Sequence, residues 1–194
     1  MKELISKIEK WANDRNIIKG SKPIDQAMKL FSEFGELADN VGKGRDCRDD
    51  IGDIFVVLVI MAKQLDSGMI VKMNKVFQNV AKDIKNNESQ HYGEVTNVTC
   101  GVKEKVAFLA SNVTLFINHL YDCRVDFYST DDLIEKCLVC LFAICNDLDY
   151  KFNECVKIAH NDIKDRNGVM HNGVFIKESD PVYQSIVKFA DTGV

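Results

Sequence analysis

Apolar residues in the first third of the chain recur three and four positions apart. Across 24–41 they include Met28, Phe31, Leu37, Ala38 and Val41, close to the ~3.6-residue period of an amphipathic helix. Pro23 suits a first helical turn, and Ser21 ahead of it reads as a start signal. The N-terminal segment MKELISKIEKW is amphipathic in the same way. The stretch 49–65 differs, because it contains the run IFVVLVIMA. Taken alone, that β-branched run is also a buried strand; its longer context has no turn signal and predicts a buried central helix. Further helices are predicted over 69–85, 104–120, 133–148 and 152–165. The polar stretches 85–101 and 122–130 predict loops.

Proline use supports an all-α fold. Only Pro23 and Pro181 occur, whereas short strands joined by tight turns use Pro and Gly more freely. The chain has 194 residues, 46% of them apolar and 28% charged, enough for one packed domain. The net charge of −4 gives no surplus of cations for binding nucleic acid, and no apolar run is long enough to span a membrane. The charged amphipathic start does not resemble a signal peptide. Seven cysteines, an odd number, fit thiols kept reduced in a cytoplasm. Cys137 and Cys140 have C-x-x-C spacing, yet two ligands fall short of a structural zinc site, and buried small hydrophobes is the better reading.

Self-comparison shows an internal echo. DDIGDIFVVLVIMAKQLD, starting at Asp49, resembles DDLIEKCLVCLFAICNDLD, starting at Asp131, with one residue of slippage. Downstream, VAKDIK (80–85) matches AHNDIK (159–164), and KLFSEFGELADN from Lys29 shares an apolar rhythm with KVAFLASNVTLF from Lys105. A tandem pair of helical hairpins packs naturally as a pseudo-symmetric bundle. The expected division is one domain over 1–194, with a first repeat at 1–86 and a second at 101–180 ending in an arm.

Acidic spacing supplies the candidate chemistry. Glu33 and Glu36 share one helical face, and Asp50 and Asp53 repeat the spacing on the next helix, with Asp49 one turn before Asp53. Antiparallel packing of the two helices brings four carboxylates together, and such a cluster repels itself unless a cation intervenes. A hard cation such as Mg²⁺, or alternatively Mn²⁺, suits all-oxygen ligands. A single acidic pair is usually a solvated face. Two pairs, beside Gly35 and Gly52 and flanked by Phe34 and Ile54, ask for more. No His follows a Glu by three residues, so the Glu-x-x-His of di-iron bundles is missing.

These motifs, Glu33-Phe-Gly-Glu36 and Asp50-Ile-Gly-Asp53, resemble the ExxE and ExxD signature of the all-α NTP pyrophosphatases, the MazG and dimeric dUTPase superfamily. The flanks KWANDRNI, KLFSEFGELADN, DDIGDIFVVLVIMAKQL and NECVKIAHNDIKDRNGVMHNGVFIKESD resemble small MazG-like proteins of bacteriophages. The resemblance covers about 5–66 and 131–180. It departs from the family pattern at Ser32, where paired acids are common, and at Asp50, where Glu is usual. In the second repeat Leu109 and Asn112 fall opposite Glu33 and Glu36, and Glu135 or Lys136 falls opposite Asp53, so one metal site per chain is expected.

The resemblance implies Mg²⁺-dependent hydrolysis of a nucleoside triphosphate, a dNTP by preference, to the monophosphate and pyrophosphate. It assigns Glu33, Glu36, Asp50 and Asp53 to the metal, with Glu33 or Glu36 accepting a proton from water. It assigns Asn161, Lys164 and Arg166 to substrate, with Lys29 and Lys43 as weaker candidates. Trp11 stacks on a base or anchors the core. The alternative is a non-catalytic nucleotide-binding or sequestering protein, and a helical interaction module with exposed acids is a third reading. No nucleic-acid or membrane partner is expected, a cytoplasmic location (the host cell's, if phage-encoded) is, and a homodimer stays open. HNGVFIKESD (171–180) is expected to leave the bundle as an extended arm.

Overall fold

The computed structural model describes residues 1–68, 75, 76, 79, 100–121 and 128–192. Most of the predicted helix over 69–85 and of both predicted loops lies outside these residues. Helix α1 spans Lys2–Asp14, the single turn α2 Ile17–Gly20, α3 Pro23–Lys43 and α4 Arg48–Gln64. There follow α5 (Val102–Tyr121), α6 (Thr130–Asp147), α7 (Phe152–Ile163), strands β1 (Gly168–His171) and β2 (Val174–Lys177), and α8 (Tyr183–Thr192). The chain is mostly helical, as its periodicity predicts.

Helix α4 is the axis of the bundle. Every residue from Ile54 to Ala62 is buried, so the apolar run forms a helix surrounded by others rather than a strand. Helices α1, α2, α3, α6 and α7 all pack against it, α7 and α3 most extensively. Phe55 of α4 meets Phe152 edge-on at 5.2 Å, and Phe152 meets Phe142 of α6 at 4.3 Å. Cys137 and Cys140 are fully buried in α6, filling core volume as small apolar side chains.

Two antiparallel hairpins, α3–α4 and α5–α6, contribute most of the core. Their termini follow different local rules. Helix α3 begins one residue later than Ser21 suggests. Lys22 occupies the cap, its N–H donating to Asp25 Oδ2 at 2.7 Å, while Pro23 takes the first turn. Ser21 instead closes α2, its hydroxyl donating to the Ile17 carbonyl at 2.7 Å. Helix α6 starts with a reciprocal box in which Asp132 N–H donates to Ser129 Oγ and Ser129 N–H to Asp132 Oδ2.

The second hairpin carries buried and paired side chains at the positions that the sequence comparison sets opposite Lys29, Glu33 and Glu36. Leu109 is buried, and Asn112 donates to Cys140 Sγ at 3.3 Å. Lys105, opposite Lys29 in that comparison, is only 3% exposed and pairs with Asp147 at 2.5 Å across the hairpin.

The predicted arm is in fact a β-hairpin. Gly168 to His171 pairs antiparallel with Val174 to Lys177, joined by Asn172 and Gly173 at φ 48° and 80°. Positive φ at both positions is what a two-residue hairpin turn requires, and Asn-Gly is its strongest sequence signal. The segment folds back over the bundle, β2 against α2, and α8 packs on β1.

Candidate active-site cleft

A cleft with about 120 Å³ of free volume opens between α1, α3, α4, the end of α7 and the hairpin. Its polar end is lined by Lys29, Glu33, Asp53, Arg166 and Lys177, and its apolar part by Trp11, Ile17, Val57, Ile60 and Phe175, among others. Helix α3 presents Lys29 and Glu33 one turn apart, and they form an ion pair. Glu33 is only 3% exposed although charged, a placement that needs a partner.

The acids of α3 and α4 act on one another electrostatically. Asp53 has its carboxyl pushed up to about 7: burial is the main cause, then the charges of Glu33 and Asp49, with Lys29 and Arg166 opposing. Asp49 is raised by burial first, then by Asp162 and Glu33. Asp50, also buried, is raised by burial, while a 2.7 Å hydrogen bond from Asn40 Nδ2 and the charges of Glu36, Asp49 and Glu33 pull in opposite directions. Antiparallel packing therefore gathers the predicted carboxylates around the first turns of α4.

They are not equivalent. Glu33 and Asp53 line the cleft; Asp50 is turned toward Asn40; Glu36 lies on the exposed face of α3 outside the lining. Among the described residues no three His, Cys, Asp or Glu side chains converge closely enough to hold a metal ion. The donors are nonetheless all carboxylate oxygens, the set a hard divalent cation takes, and Asp49, Asp50 and Asp53 are raised first by burial and then by the charges of their acidic neighbours.

Of the predicted substrate residues, Arg166 and Lys29 reach the cleft, whereas Asn161 and Lys164 are exposed and outside its lining. Arg166 pairs with Asp162. Its backbone carbonyl accepts from Arg15 Nε at 2.6 Å, and the Lys164 carbonyl accepts from Arg15 Nη2 at 3.0 Å, which ties the end of α1 to the end of α7. Lys43 pairs with Asp39 on the surface, away from the cleft lining. Trp11 anchors the core, as one of its two expected roles requires, and also forms part of the cleft wall.

The residues missed in the sequence come from the hairpin and its contacts. Phe175 packs edge-on to Trp11 at 6.1 Å, Lys177 joins the rim, and Gly173 sits against Asp25. The Asn172-Gly173 dipeptide was the signal that could have located them. A Cβ on Gly173 would lie 2.4 Å from Asp25 Oδ2 at a φ of 80°. Gly173→Ala is therefore expected to cost about 1–3 kcal/mol and to loosen the hairpin, read as earlier exchange of the β1–β2 amides in hydrogen-exchange experiments.

The acidic cluster also fixes a pH dependence. Asp53 titrates near 7 folded but near 3.8 as a free side chain, so the folded state holds its proton more tightly. Stability is then expected to fall as pH rises from about 4 to 7 and to level off above. Asp53→Asn removes the penalty: it should add about 1–3 kcal/mol at pH 8 and almost nothing at pH 4, measured by urea unfolding at both pH values. An unchanged stability difference between the two pH values contradicts the clustered arrangement.

Comparison with known proteins bears on part of the chain. Over 66 residues the sequence is 50% identical to a protein of Haemophilus phage HP1 (strain HP1c1) described as an uncharacterized 18.2 kDa protein in the rep-hol intergenic region. The match takes in 33% of this chain and 40% of that protein's length. No protein-family model and no solved structure matches the chain. The relative's phage source agrees with the bacteriophage part of the resemblance read from the motifs.

Proposed function

We propose that the chain is a nucleoside triphosphate pyrophosphohydrolase, acting on dNTPs by preference, with its reaction centre at the polar end of the cleft. The observation that carries this reading is the carboxylate cluster of Glu33, Asp49, Asp50 and Asp53 beside the cationic groups of Lys29 and Arg166. A triphosphate needs both: cations to hold its outer oxygens, and acids to bind the metal it arrives with and to take a proton from water.

Glu33 and Asp53, the two carboxylates of the cleft wall, are the residues that would hold Mg²⁺, which when bound would neutralise phosphate charge as it develops. Arg166 and Lys29, at the mouth of the cleft, bind and orient the departing pyrophosphate. A water adds to the α-phosphorus, the α–β bridging bond breaks, and a carboxylate takes the water's proton. Glu33 suits that role better than Glu36, being buried in the cleft wall while Glu36 faces solvent. Lys29 releases Glu33 in this scheme by turning toward phosphate, its side chain being half exposed.

The alternative, a protein that binds or sequesters nucleotides without turnover, draws support from the Lys29–Glu33 pair and from the outward position of Glu36, which leave the carboxylates short of a shared coordination sphere. Pyrophosphate release from a panel of NTPs and dNTPs, with and without Mg²⁺, decides between them. Mg²⁺-dependent release establishes hydrolysis. Nucleotide binding without release establishes the alternative.

A further inference from the structure

We propose that Arg15 positions Arg166 for its grip on the outer phosphates of the ligand. This rests on the nucleotide reading above and concerns a residue outside the cleft lining, so Arg15 itself touches no ligand there. Arg15 closes α1, and its guanidinium stands 5.3 Å from the centroid of the Trp11 ring, one turn earlier on the same face. From there Nε donates to the Arg166 carbonyl at 2.6 Å and Nη2 to the Lys164 carbonyl at 3.0 Å. A rigid planar fork reaches two carbonyls at once, which a single ammonium does not do in fixed geometry.

The chain past α7 has little else to direct it toward the cleft. Its cap, Lys164, keeps helical angles of φ −53° and ψ −38°. Lys164 N–H donates to the His160 carbonyl and Arg166 N–H to the Ile163 carbonyl, both at 2.9 Å. Those bonds are local and leave the direction relative to α1 open. The last carbonyls of a helix have no partner within it, and a cation there also meets the negative end of the helix dipole. Arg15 supplies that cation from another helix. The carbonyl it holds belongs to the same residue whose side chain, 24% exposed, lines the cleft. Asp162, the other partner of Arg166, sits on α7 itself, so that pair moves with the end of the helix. Displacing a group that holds a reactant by about 1 Å costs up to about a hundredfold.

A double-mutant cycle on the intact protein tests the coupling, read by calorimetry with inorganic tripolyphosphate in the presence of Mg²⁺. Arg166→Gln and Arg15→Gln are each expected to weaken binding about tenfold. The double variant should bind no more weakly than either, because Arg15 acts only through Arg166. A loss of about a hundredfold in the double variant, the additive result, overturns the proposal. Full affinity in Arg15→Gln or in Arg166→Gln overturns it as well, as does a wild-type protein that binds no tripolyphosphate. Arg15→Lys keeps the charge and loses the fork, and it should bind as weakly as Arg15→Gln. Wild-type affinity in Arg15→Lys means that charge and not position matters, and the proposal fails. Should Arg15→Gln not fold, the same cycle with Arg15→Lys decides. A solely structural Arg15 shows itself differently, as a lower Tm with affinity unchanged.

Pyrophosphate release separates this inference from the hydrolase reading. Release from a nucleoside triphosphate, with additive losses at the two arginines, sinks the positioning role and leaves the hydrolase. A non-additive cycle with no release from any triphosphate does the reverse.

Discussion

Glu33→Gln and Asp53→Asn are each expected to lower pyrophosphate release by about a thousandfold or more, with the helical circular dichroism unchanged. Both substitutions keep size and hydrogen-bonding capacity and remove one negative charge. At Glu33 the loss takes away the proposed proton acceptor, a contribution of about 10²–10⁴ by itself, and a metal ligand with it. At Asp53 it removes a proposed metal ligand from the cleft wall, the carboxyl that burial, then the charges of Glu33 and Asp49, raise most clearly. Glu36→Gln is the informative contrast. That side chain lies outside the cleft lining, so a drop of about tenfold to a hundredfold is expected, the effect of a distant charge rather than of the proton acceptor. Should Glu36→Gln prove as damaging as Glu33→Gln, the assignment of the proton acceptor to Glu33 fails. Asp53→Asn carries a second signature, because activity and stability move in opposite directions: turnover disappears while resistance to urea at pH 8 increases. A merely structural aspartate would not show that pairing.

Gly52→Ala has the largest expected effect on the fold itself. A Cβ at this position would lie 2.3 Å from the Cys155 carbonyl oxygen and 2.7 Å from Ala159 Cβ, so α4 and α7 touch backbone to backbone here. Alanine gains about 1 kcal/mol of helix propensity over glycine, but forcing two packed helices apart costs more. Overpacking penalties of 1–3 kcal/mol are typical, and a backbone clash belongs at or above the upper end. A net loss of about 2–3 kcal/mol is expected, lowering Tm by about 4–12 °C in a chain of this size. Because Asp49, Asp50 and Asp53 ride on the same turns of α4, the displacement should also weaken turnover about tenfold. Gly35 provides the control: nothing lies within 4 Å of its would-be Cβ, and Gly35→Ala should leave Tm unchanged or slightly higher. Equal effects at the two glycines would mean that α4 and α7 are not in close contact.

The two glycines show how far local pattern reaches. Both stand beside an acidic residue in the same motif context, and the sequence treats them alike. Only the packing of α7 against α4 makes one indispensable and leaves the other in open space. The acids tell a similar story. Their spacing placed Glu33 with Glu36 and Asp50 with Asp53 on shared helical faces, yet the crossing of α3 over α4 turned Glu33 and Asp53 into the cleft, Asp50 toward Asn40, and Glu36 to solvent.

What the sequence by itself determined is the helical character and which acids share a helical face. Periods near 3.6 residues, the scarcity of proline and the long turn-free context of the apolar run in α4 are local properties, and together they favour helices. What only the tertiary structure decided is which side chains share a cleft. The hairpin turned an expected arm into one wall of that cleft, bringing Phe175 to Trp11 across more than 160 positions of chain. Arg166 and Lys29 reached the cleft while Asn161 and Lys164 did not, Arg166 lying just past α7 where the chain is tied to Arg15. Such contacts depend on helix crossing and on where the chain returns, and neither leaves a periodic trace in the residues that make them.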